Sequence, residues 1–149
     1  MAWRFPTTTI LGVTLLSVYG TGCVSLVPYT PQTGKVDELG RDSVELRLGE
    51  LITQSTHPRY TSADVAENHI HASAVSVAFG PWWGATTHSE PRDVYYRNIE
   101  DVEVYDNNVV YLRGIGNQVI FQVTYPSRET ALEFADLVNS LRHTALHAE

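Results

Sequence analysis

Two histidines placed two residues apart are the first side chains in this 149-residue chain whose spacing could support chemistry. His69 and His71 lie in a run typical of a β-strand, so both imidazoles point to one side of it. Imidazole nitrogens bind Zn²⁺ and Cu²⁺ well, and His88 on a neighbouring strand would add a third ligand. No free cysteine or suitably spaced carboxylate completes the set. We therefore predict solvent-facing or hydrogen-bonded histidines and no metal or other cofactor, and keep a metal or small-ligand carrier as the alternative.

Adjacent tryptophans form a second candidate site. Trp82 and Trp83 lie in a loop bounded by the chain breakers Gly80-Pro81 and Gly84. An exposed aromatic pair would anchor a protein partner or a membrane surface. Equally, one ring could close the open end of a β-sheet core. The sequence leaves both interpretations open, with the pair as candidate partner-binding aromatics.

Catalytic motifs are missing from the sequence. There is no G-x-S-x-G run, and no spacing of Ser, His and Asp singles out a triad. Glu100, Asp101 and Glu103 are close together, but in a strand Asp101 and Glu103 share the solvent face, where carboxylates are ordinary. No glycine-rich phosphate loop precedes a helix. These observations predict a protein that is not an enzyme, and a weak hydrolase is the least favoured alternative.

The single cysteine, Cys23, follows a segment with the properties of an export signal. Arg4 gives the first residues a positive charge, and no charged residue occurs from Phe5 to Tyr19. That apolar run is too short to cross about 30 Å of hydrocarbon, which takes about 20 residues. The small residues 20–22 then suit a processing enzyme. Residues 1–22 are therefore predicted to be a signal peptide.

The run Gly20-Thr21-Gly22-Cys23 resembles the lipobox of bacterial lipoproteins, although Gly20 stands where that family usually has an aliphatic residue. The resemblance implies a diacylglyceryl group on the Cys23 thiol, cleavage before Cys23 and acylation, typically with palmitate, of the new amine. Val24 follows, rather than the aspartate that retains enterobacterial lipoproteins at the inner membrane. The implied location is the outer membrane, with the domain in the periplasm. The inner membrane and secretion are the alternatives.

Composition limits the partners of the mature chain. The precursor carries a net charge of −7, and without Arg4 the mature part carries −8. Lys35 is the one lysine, and the basic residues are scattered singly among seventeen acids. Nucleic acids and anionic headgroups are bound by clustered Lys and Arg. We therefore predict no nucleic-acid partner.

Apolar periodicity predicts two helices and a β-rich middle. Residues 23–37 contain Pro28, Pro31 and Gly34 and predict a lipidated flexible tether. A helix is predicted over residues 38–53, with Val44, Leu48, Leu51 and Ile52 on one stripe. Short strands are predicted around residues 64–66, 69–79, 86–88, 94–97, 102–105, 109–113 and 118–125, with turns at Glu67-Asn68 and Asn107-Asn108.

The C-terminal helix is the clearest prediction. Ser127 is the expected N-cap. Its apolar stripe comprises Ala131, Phe134, Ala135, Val138, Leu141 and Ala145, and its water-facing residues are Glu129, Glu133, Asp136, Ser140 and His143.

Residues 94–142 (VYYRNIEDVEVYDNNVVYLRGIGNQVIFQVTYPSRETALEFADLVNSLR) are similar to bacterial pleckstrin-homology-like (PH-like) domains. The resemblance implies a mainly β fold with α: a partly closed antiparallel barrel of about seven strands, capped by the C-terminal helix, with a short N-terminal helix. An open α+β sheet, as in cystatin-like folds, is the rival. The implied division is a signal peptide (1–22), a tether (23–37) and one PH-like domain (38–149).

The PH-like resemblance implies binding rather than catalysis. Members that recognise inositol phosphates use a basic cluster around the first hairpin loop, whereas the corresponding Glu67-Asn68 turn is short and acidic. We therefore do not predict phosphoinositide binding. The expected function is a non-enzymatic binding or scaffold module for a protein or peptide partner in the periplasm.

Overall fold

A computed structural model describes residues 23–81 and 84–147 of the chain. The predicted signal peptide therefore lies outside the described residues. Within the part of the chain that the structure describes, no helix combines the length and the hydropathy needed to cross a membrane.

Two helices precede the β-strands. α1 spans Lys35–Leu39 and α2 spans Arg41–Thr53. Gly40 separates them with a φ of +81°, a backbone conformation that glycine adopts without the steric cost of a Cβ. The predicted stripe of α2 is confirmed, because its four buried residues are Val44, Leu48, Leu51 and Ile52.

The first sheet contains three antiparallel strands in the order β1-β2-β3. β1 spans Tyr60–Val65, and the longer strands β2 (His69–Gly80) and β3 (Gly84–Tyr95) pair along their whole length. Ile70, Ala72 and Ala74 alternate along β2 and are buried. The part of this sheet where β2 pairs with β1 therefore presents one face to the core, as the two-residue repeat of a strand requires.

The second sheet is an antiparallel meander of β4 (Asp101–Val104), β5 (Val109–Gly114) and β6 (Gln118–Thr124). The predicted Asn107-Asn108 turn joins β4 to β5, and Asn108 has a positive φ of 62°. Asparagine tolerates this conformation better than most residues. Val102, Val104, Val110, Leu112, Phe121 and Val123 turn inward from this sheet and are buried.

The C-terminal helix α3 spans Arg128–His147 and closes the core. It packs against α1, α2, β4, β5 and the 3-10 turn Tyr96–Asn98. Its predicted apolar stripe is confirmed, with five members buried and Ala145 partly buried against the core. Ser127 accepts a hydrogen bond from the Thr130 amide through its side chain, as predicted for the cap.

The strand count and the degree of closure differ from the prediction. Six strands occur in the described residues rather than seven, and they form two three-stranded sheets rather than a closed barrel. The strands predicted around residues 86–88 and 94–97 are one strand, β3, and residues 96–98 form the 3-10 turn instead. β1 begins at Tyr60, earlier than the predicted residue 64. The coarser prediction is confirmed: the chain has a mixed fold of antiparallel sheets, with a short N-terminal helix and a C-terminal helix.

Replacing Phe134 with alanine should remove the largest side chain that α3 buries. The ring is fully buried and its centroid lies 5.8 Å from that of Tyr125. We expect a loss of about 3–5 kcal/mol in the free energy of unfolding, measured by urea titration, because the cavity cost adds to the lost transfer energy.

The matched control is Ile115→Ala, since the Ile115 side chain is 75% exposed. It should change stability by less than about 0.5 kcal/mol. Equal effects of the two substitutions would contradict the packing described.

Candidate functional site

β2 and β3 extend well beyond the strand that covers them. The last residue of β2 that pairs with β1 is Ala74, opposite Tyr60, and the Val75 amide donates to the Arg59 carbonyl. Six more pairs, from Val75–Ser89 to Gly80–Gly84, continue as a two-stranded ribbon. We call residues 75–80 and 84–89 the arm. At about 3.3 Å per residue it is about 20 Å long.

The arm is exposed on both faces. Val77 is 51% exposed, and Ser76, Ala78, Thr87 and His88 are also exposed. An isolated two-stranded hairpin is marginally stable in water, because it buries little apolar surface. Contact with another molecule would therefore stabilise the arm.

Both long edges of the arm lack a strand partner among the described residues. The Tyr96 amide donates to Asn68 opposite it, so even-numbered residues of β3 direct their backbone bonds toward β2. Odd-numbered residues alternate with them and direct their N–H groups outward. Pro91 has no N–H group and occupies such an outward position. The outward donors of the arm include Ala85 and Thr87.

Charge divides β3 into two halves. The half of β3 outside the arm contains Glu90, Pro91, Arg92 and Asp93. Charged residues and proline are the residue types that prevent an edge strand from pairing with another chain. From Val75 to Ser89 the sequence contains no Asp, Glu, Lys or Arg. The free edges of the arm therefore have no such protection.

Trp82 and Trp83 lie outside the described residues. Gly80 is the last residue of β2 and Gly84 the first residue of β3, and the two are paired, so they bound the connection as predicted. The sequence thus places the tryptophans in the connection between the two arm strands. Their role as partner-binding aromatics remains a prediction.

The three histidines do not converge. His71 Nδ1 lies 2.6 Å from Asp93 Oδ1, and His69 Nδ1 lies 2.6 Å from Asn68 Oδ1. His88 pairs with Ser76, five residues further along β2 and on the opposite face from His71. No group of three His, Cys, Asp or Glu side chains in residues 23–81 and 84–147 is arranged to hold a metal.

The acidic residues near β4 are engaged in ordinary surface interactions. Glu103 Oε2 accepts hydrogen bonds from Arg113 Nε at 2.8 Å and from the Tyr105 hydroxyl at 2.9 Å. Asp101 Oδ1 accepts from the amide of the next residue, Val102. Glu103 therefore forms an ion pair, whereas Asp101 makes a local contact with the backbone.

Cys23 is exposed. Two residues later, Ser25 contacts Asp106 twice: its carbonyl accepts from the Asp106 amide, and its hydroxyl donates to the Asp106 carboxylate at 2.7 Å. The hydrogen bond from the Ser25 hydroxyl is the largest cause that lowers the pKa of the Asp106 carboxyl from its ordinary value of 3.8. The Val27 amide then donates to Val104 at the edge of β4.

The following residues cross α3. The Tyr29 hydroxyl donates to the Asp136 carboxylate, and Ser140 Oγ accepts from the Lys35 amide and donates to the Gln32 carbonyl. Ser140 was expected to face water, but it is fully buried beneath this segment. Residues 25–35 thus make ordered contacts where the sequence suggested a flexible tether. The proposed division into signal peptide, tether and domain stays a prediction.

A hollow of about 400 Å³ lies between α1, α2 and α3. Its apolar lining includes Leu39, Leu132 and Leu137. Arg47 and Glu133 form a two-pronged ion pair at its side, with N–O distances of 2.7 and 2.9 Å. This Glu133 contact is the largest cause that raises the pKa of Arg47. The hollow has the shape and polarity to receive one apolar side chain or a small apolar molecule.

Comparison with known proteins identifies no relative, because no family model, no curated protein and no solved structure matches the chain. Function therefore has to be inferred from the arm, Cys23 and the hollow themselves.

Sequence reasoning missed the arm as a site, although one signal could have revealed it. The run without Asp, Glu, Lys or Arg extends from Asn68 to Ser89, well past the buried residues Ile70, Ala72 and Ala74 of β2. The contacts of Ser25 with Asp106 had no comparable signal, since they join residues 81 positions apart.

Replacing Asp106 with asparagine should loosen the N-terminal segment. The change removes the charge that Ser25 stabilises, so the Val27 amide should exchange faster with solvent in NMR hydrogen-exchange measurements at neutral pH. The pKa of Asp106 is lower in the folded state than its ordinary value of 3.8, so the wild-type contact is fully present above pH 3.8. The contact is lost as the pH falls through the lowered pKa of the folded state.

The control is Asp64→Asn, because Asp64 is exposed on β1 and far along the chain from Ser25. Unchanged Val27 exchange in Asp106→Asn would show that the carboxylate does not hold the segment.

Proposed function

We propose that this protein is a bacterial lipoprotein, anchored to the outer membrane through Cys23, whose arm binds an extended segment of a protein partner in the periplasm. It acts as a non-enzymatic binding module in this proposal. The single observation that carries the binding role is the arm, a two-stranded ribbon with free edges and no charged residue.

The anchor rests on the lipobox-like run and on the position of Cys23. The cysteine is exposed and lies two residues before Ser25, which binds Asp106. A lipid on its sulfur and amine would therefore displace no core residue. Several acyl chains at about 0.8 kcal/mol per buried CH₂ would hold the protein on a bilayer essentially permanently.

Strand addition is the mode of binding that the arm supports best. Outward N–H groups such as those of Ala85 and Thr87 would donate to the backbone of an added strand, and the side chains on both faces would select its sequence. The partner segment gains a ladder of hydrogen bonds without having to displace an existing strand. Trp82 and Trp83, in the connection at the end of the arm, would add aromatic contacts.

A PH-like ancestry fits the order of the elements. Two antiparallel sheets followed by a C-terminal helix support this proposal. The strands form two separate three-stranded sheets in place of a closed barrel. The first hairpin turn is bound by Arg41, whose guanidinium donates to the Glu67 carbonyl at 2.7 Å and lies 3.3 Å from the Glu67 carboxylate. An acidic turn engaged in this way does not favour an inositol phosphate.

A small-ligand carrier is the second candidate function, and the hollow between the three helices favours it. Its leucine lining and volume suit a small apolar molecule. The histidines that suggested a metal carrier lie elsewhere, on β2 and β3.

Replacing Cys23 with serine should abolish labelling of the protein by a clickable fatty acid in the native bacterium, because serine has no thiol to receive the diacylglyceryl group. The variant should also leave the membrane fraction. Retained labelling, or unchanged membrane binding and processing, would contradict the anchor while leaving the binding role of the arm open to its own test.

Replacing Thr87 with proline should abolish partner binding. The substitution removes one outward N–H group but no bond to β2, and Pro91 already occupies an equivalent position in the same strand. Partner capture is measured by in-envelope crosslinking from a photoreactive residue at Ser76, followed by mass spectrometry.

The matched control is Thr87→Ala, which removes the same side chain and keeps the N–H group. Crosslinks that persist in Thr87→Ala and disappear in Thr87→Pro support strand addition. Equal crosslinking in both variants, or no reproducible protein neighbour in the wild type, would refute it.

A further inference from the structure

The outer edge of β3 in the arm is complementary to itself. Ala85, Thr87 and Ser89 are its odd-numbered residues, and they direct their N–H and C=O groups away from β2. In an antiparallel ladder, two such residues that face each other exchange two hydrogen bonds. An identical edge, related to the first by a twofold axis, therefore offers an acceptor for every donor and a donor for every acceptor.

A twofold axis at Thr87 gives the register that uses this edge most fully. Thr87 then faces Thr87 of the second copy, and Ala85 of each copy faces Ser89 of the other, so every outward residue of the arm strand is paired. Moving the axis one residue toward the body would place Ala85 opposite Pro91, which has no N–H group to donate. Moving it one residue the other way would place Ser89 opposite the connection, before β3 begins at Gly84.

The distribution of charge allows two copies to meet through the arm. The mature chain carries −8, so two bodies repel each other at close range. Glu90 is the acidic residue of β3 nearest to the axis, and in this register it faces Gly84 rather than another acid. The two Glu90 residues lie about 20 Å apart along the paired strands, at about 3.3 Å per residue. This separation exceeds twice the Debye length of about 8 Å at physiological ionic strength, so their repulsion is largely screened.

Pairing of two arms also supplies the additional strands that a single arm lacks. A ribbon of two strands is marginally stable in water, whereas a sheet of three or more strands with an apolar face is stable on its own. Two arms joined along β3 form one sheet in the order β2-β3-β3-β2. Val77 pairs with Thr87 within each copy, so the row Val77-Thr87-Thr87-Val77 crosses one face of this sheet. All of its side chains are β-branched, and such side chains fit a pleated surface well.

We propose that the partner strand of the arm is the arm of a second copy of this chain, paired antiparallel across a twofold axis at Thr87. The inference rests on the proposed function, because it names the partner for strand addition at the same edge. The arm is then the contact of a symmetric dimer, in which each copy presents the same surface to the other. Anchoring at Cys23 would promote it, since two copies held on one membrane meet at a raised effective concentration.

A cysteine at the axis provides a direct test. In a hydrogen-bonded antiparallel pair the two Cα atoms lie about 5.5 Å apart, within the range of about 4.4–6.8 Å that a disulfide spans. Thr87→Cys is expressed from the full-length gene in the native bacterium, and the envelope proteins are separated on non-reducing gels after mild oxidation. We expect most of the protein to shift from monomer to dimer. Mass spectrometry of the linked peptides should show residue 87 joined to residue 87, which distinguishes this link from one through Cys23.

Matched cysteines two residues from the axis check the register. Ala85→Cys alone, or Ser89→Cys alone, places the two thiols about 13 Å apart along the strands at about 3.3 Å per residue, so neither should give a dimer. The two variants expressed together from separate genes should restore the dimer, because residues 85 and 89 face each other. Adding Thr87→Pro to both genes should abolish this link, since proline has no N–H group to donate across the axis. Adding Thr87→Ala instead should retain it.

The outcomes separate this inference from the proposed function. If Thr87→Cys stays monomeric while the photoreactive residue at Ser76 captures a different protein, the second copy is overturned and strand addition stands. If Thr87→Cys stays monomeric and Ser76 captures no protein, both are overturned. Dimers that form as readily with Ala85→Cys alone as with Thr87→Cys would show a contact without this register and would overturn the inference.

Discussion

Twelve consecutive residue pairs join β2 to β3, whereas β1 covers only the first part of β2. This difference in length governs the rest of the structure. Where β1 is present, alternate residues of β2 turn inward and are buried beneath the helices. Where β1 has ended, the same ladder continues without a core to cover. Beyond the Val75 N–H group, which donates to Arg59, the backbone groups at its outer edges meet solvent or another molecule.

Periodicity predicted the elements that bury one continuous face. The stripes of α2 and α3 were correct because 3.6-residue spacing of apolar side chains leaves little choice of which face is buried. β3 was divided in error because Glu90, Pro91 and Arg92 resemble a chain break. In an edge strand, however, proline costs no ladder bond when its nitrogen faces outward, and charged side chains remain hydrated.

Contacts between residues far apart in sequence could not be predicted in the same way. Pro28, Pro31 and Gly34 are typical of a loose linker, and their composition gives no sign of what lies opposite. The burial of Ser140 depends on this segment, because its hydroxyl satisfies backbone groups that cross over α3. Sequence alone therefore predicts that a polar helix residue faces water, because it does not reveal the segment that covers the residue. The anchor motif and the candidate aromatics, in contrast, are local sequence features, and they remain predictions.

The attachment of the N-terminal segment has a mechanical consequence. A load applied at Cys23 reaches the Ser25–Asp106 contact first and the Val27–Val104 bond next, rather than all of the bonds together. Peeling of this kind proceeds one bond at a time and needs less force than shearing several bonds at once. Each released residue adds about 3.3–3.6 Å of slack. The segment can therefore yield to tension at Cys23 and lengthen, while the sheets and α3 stay folded.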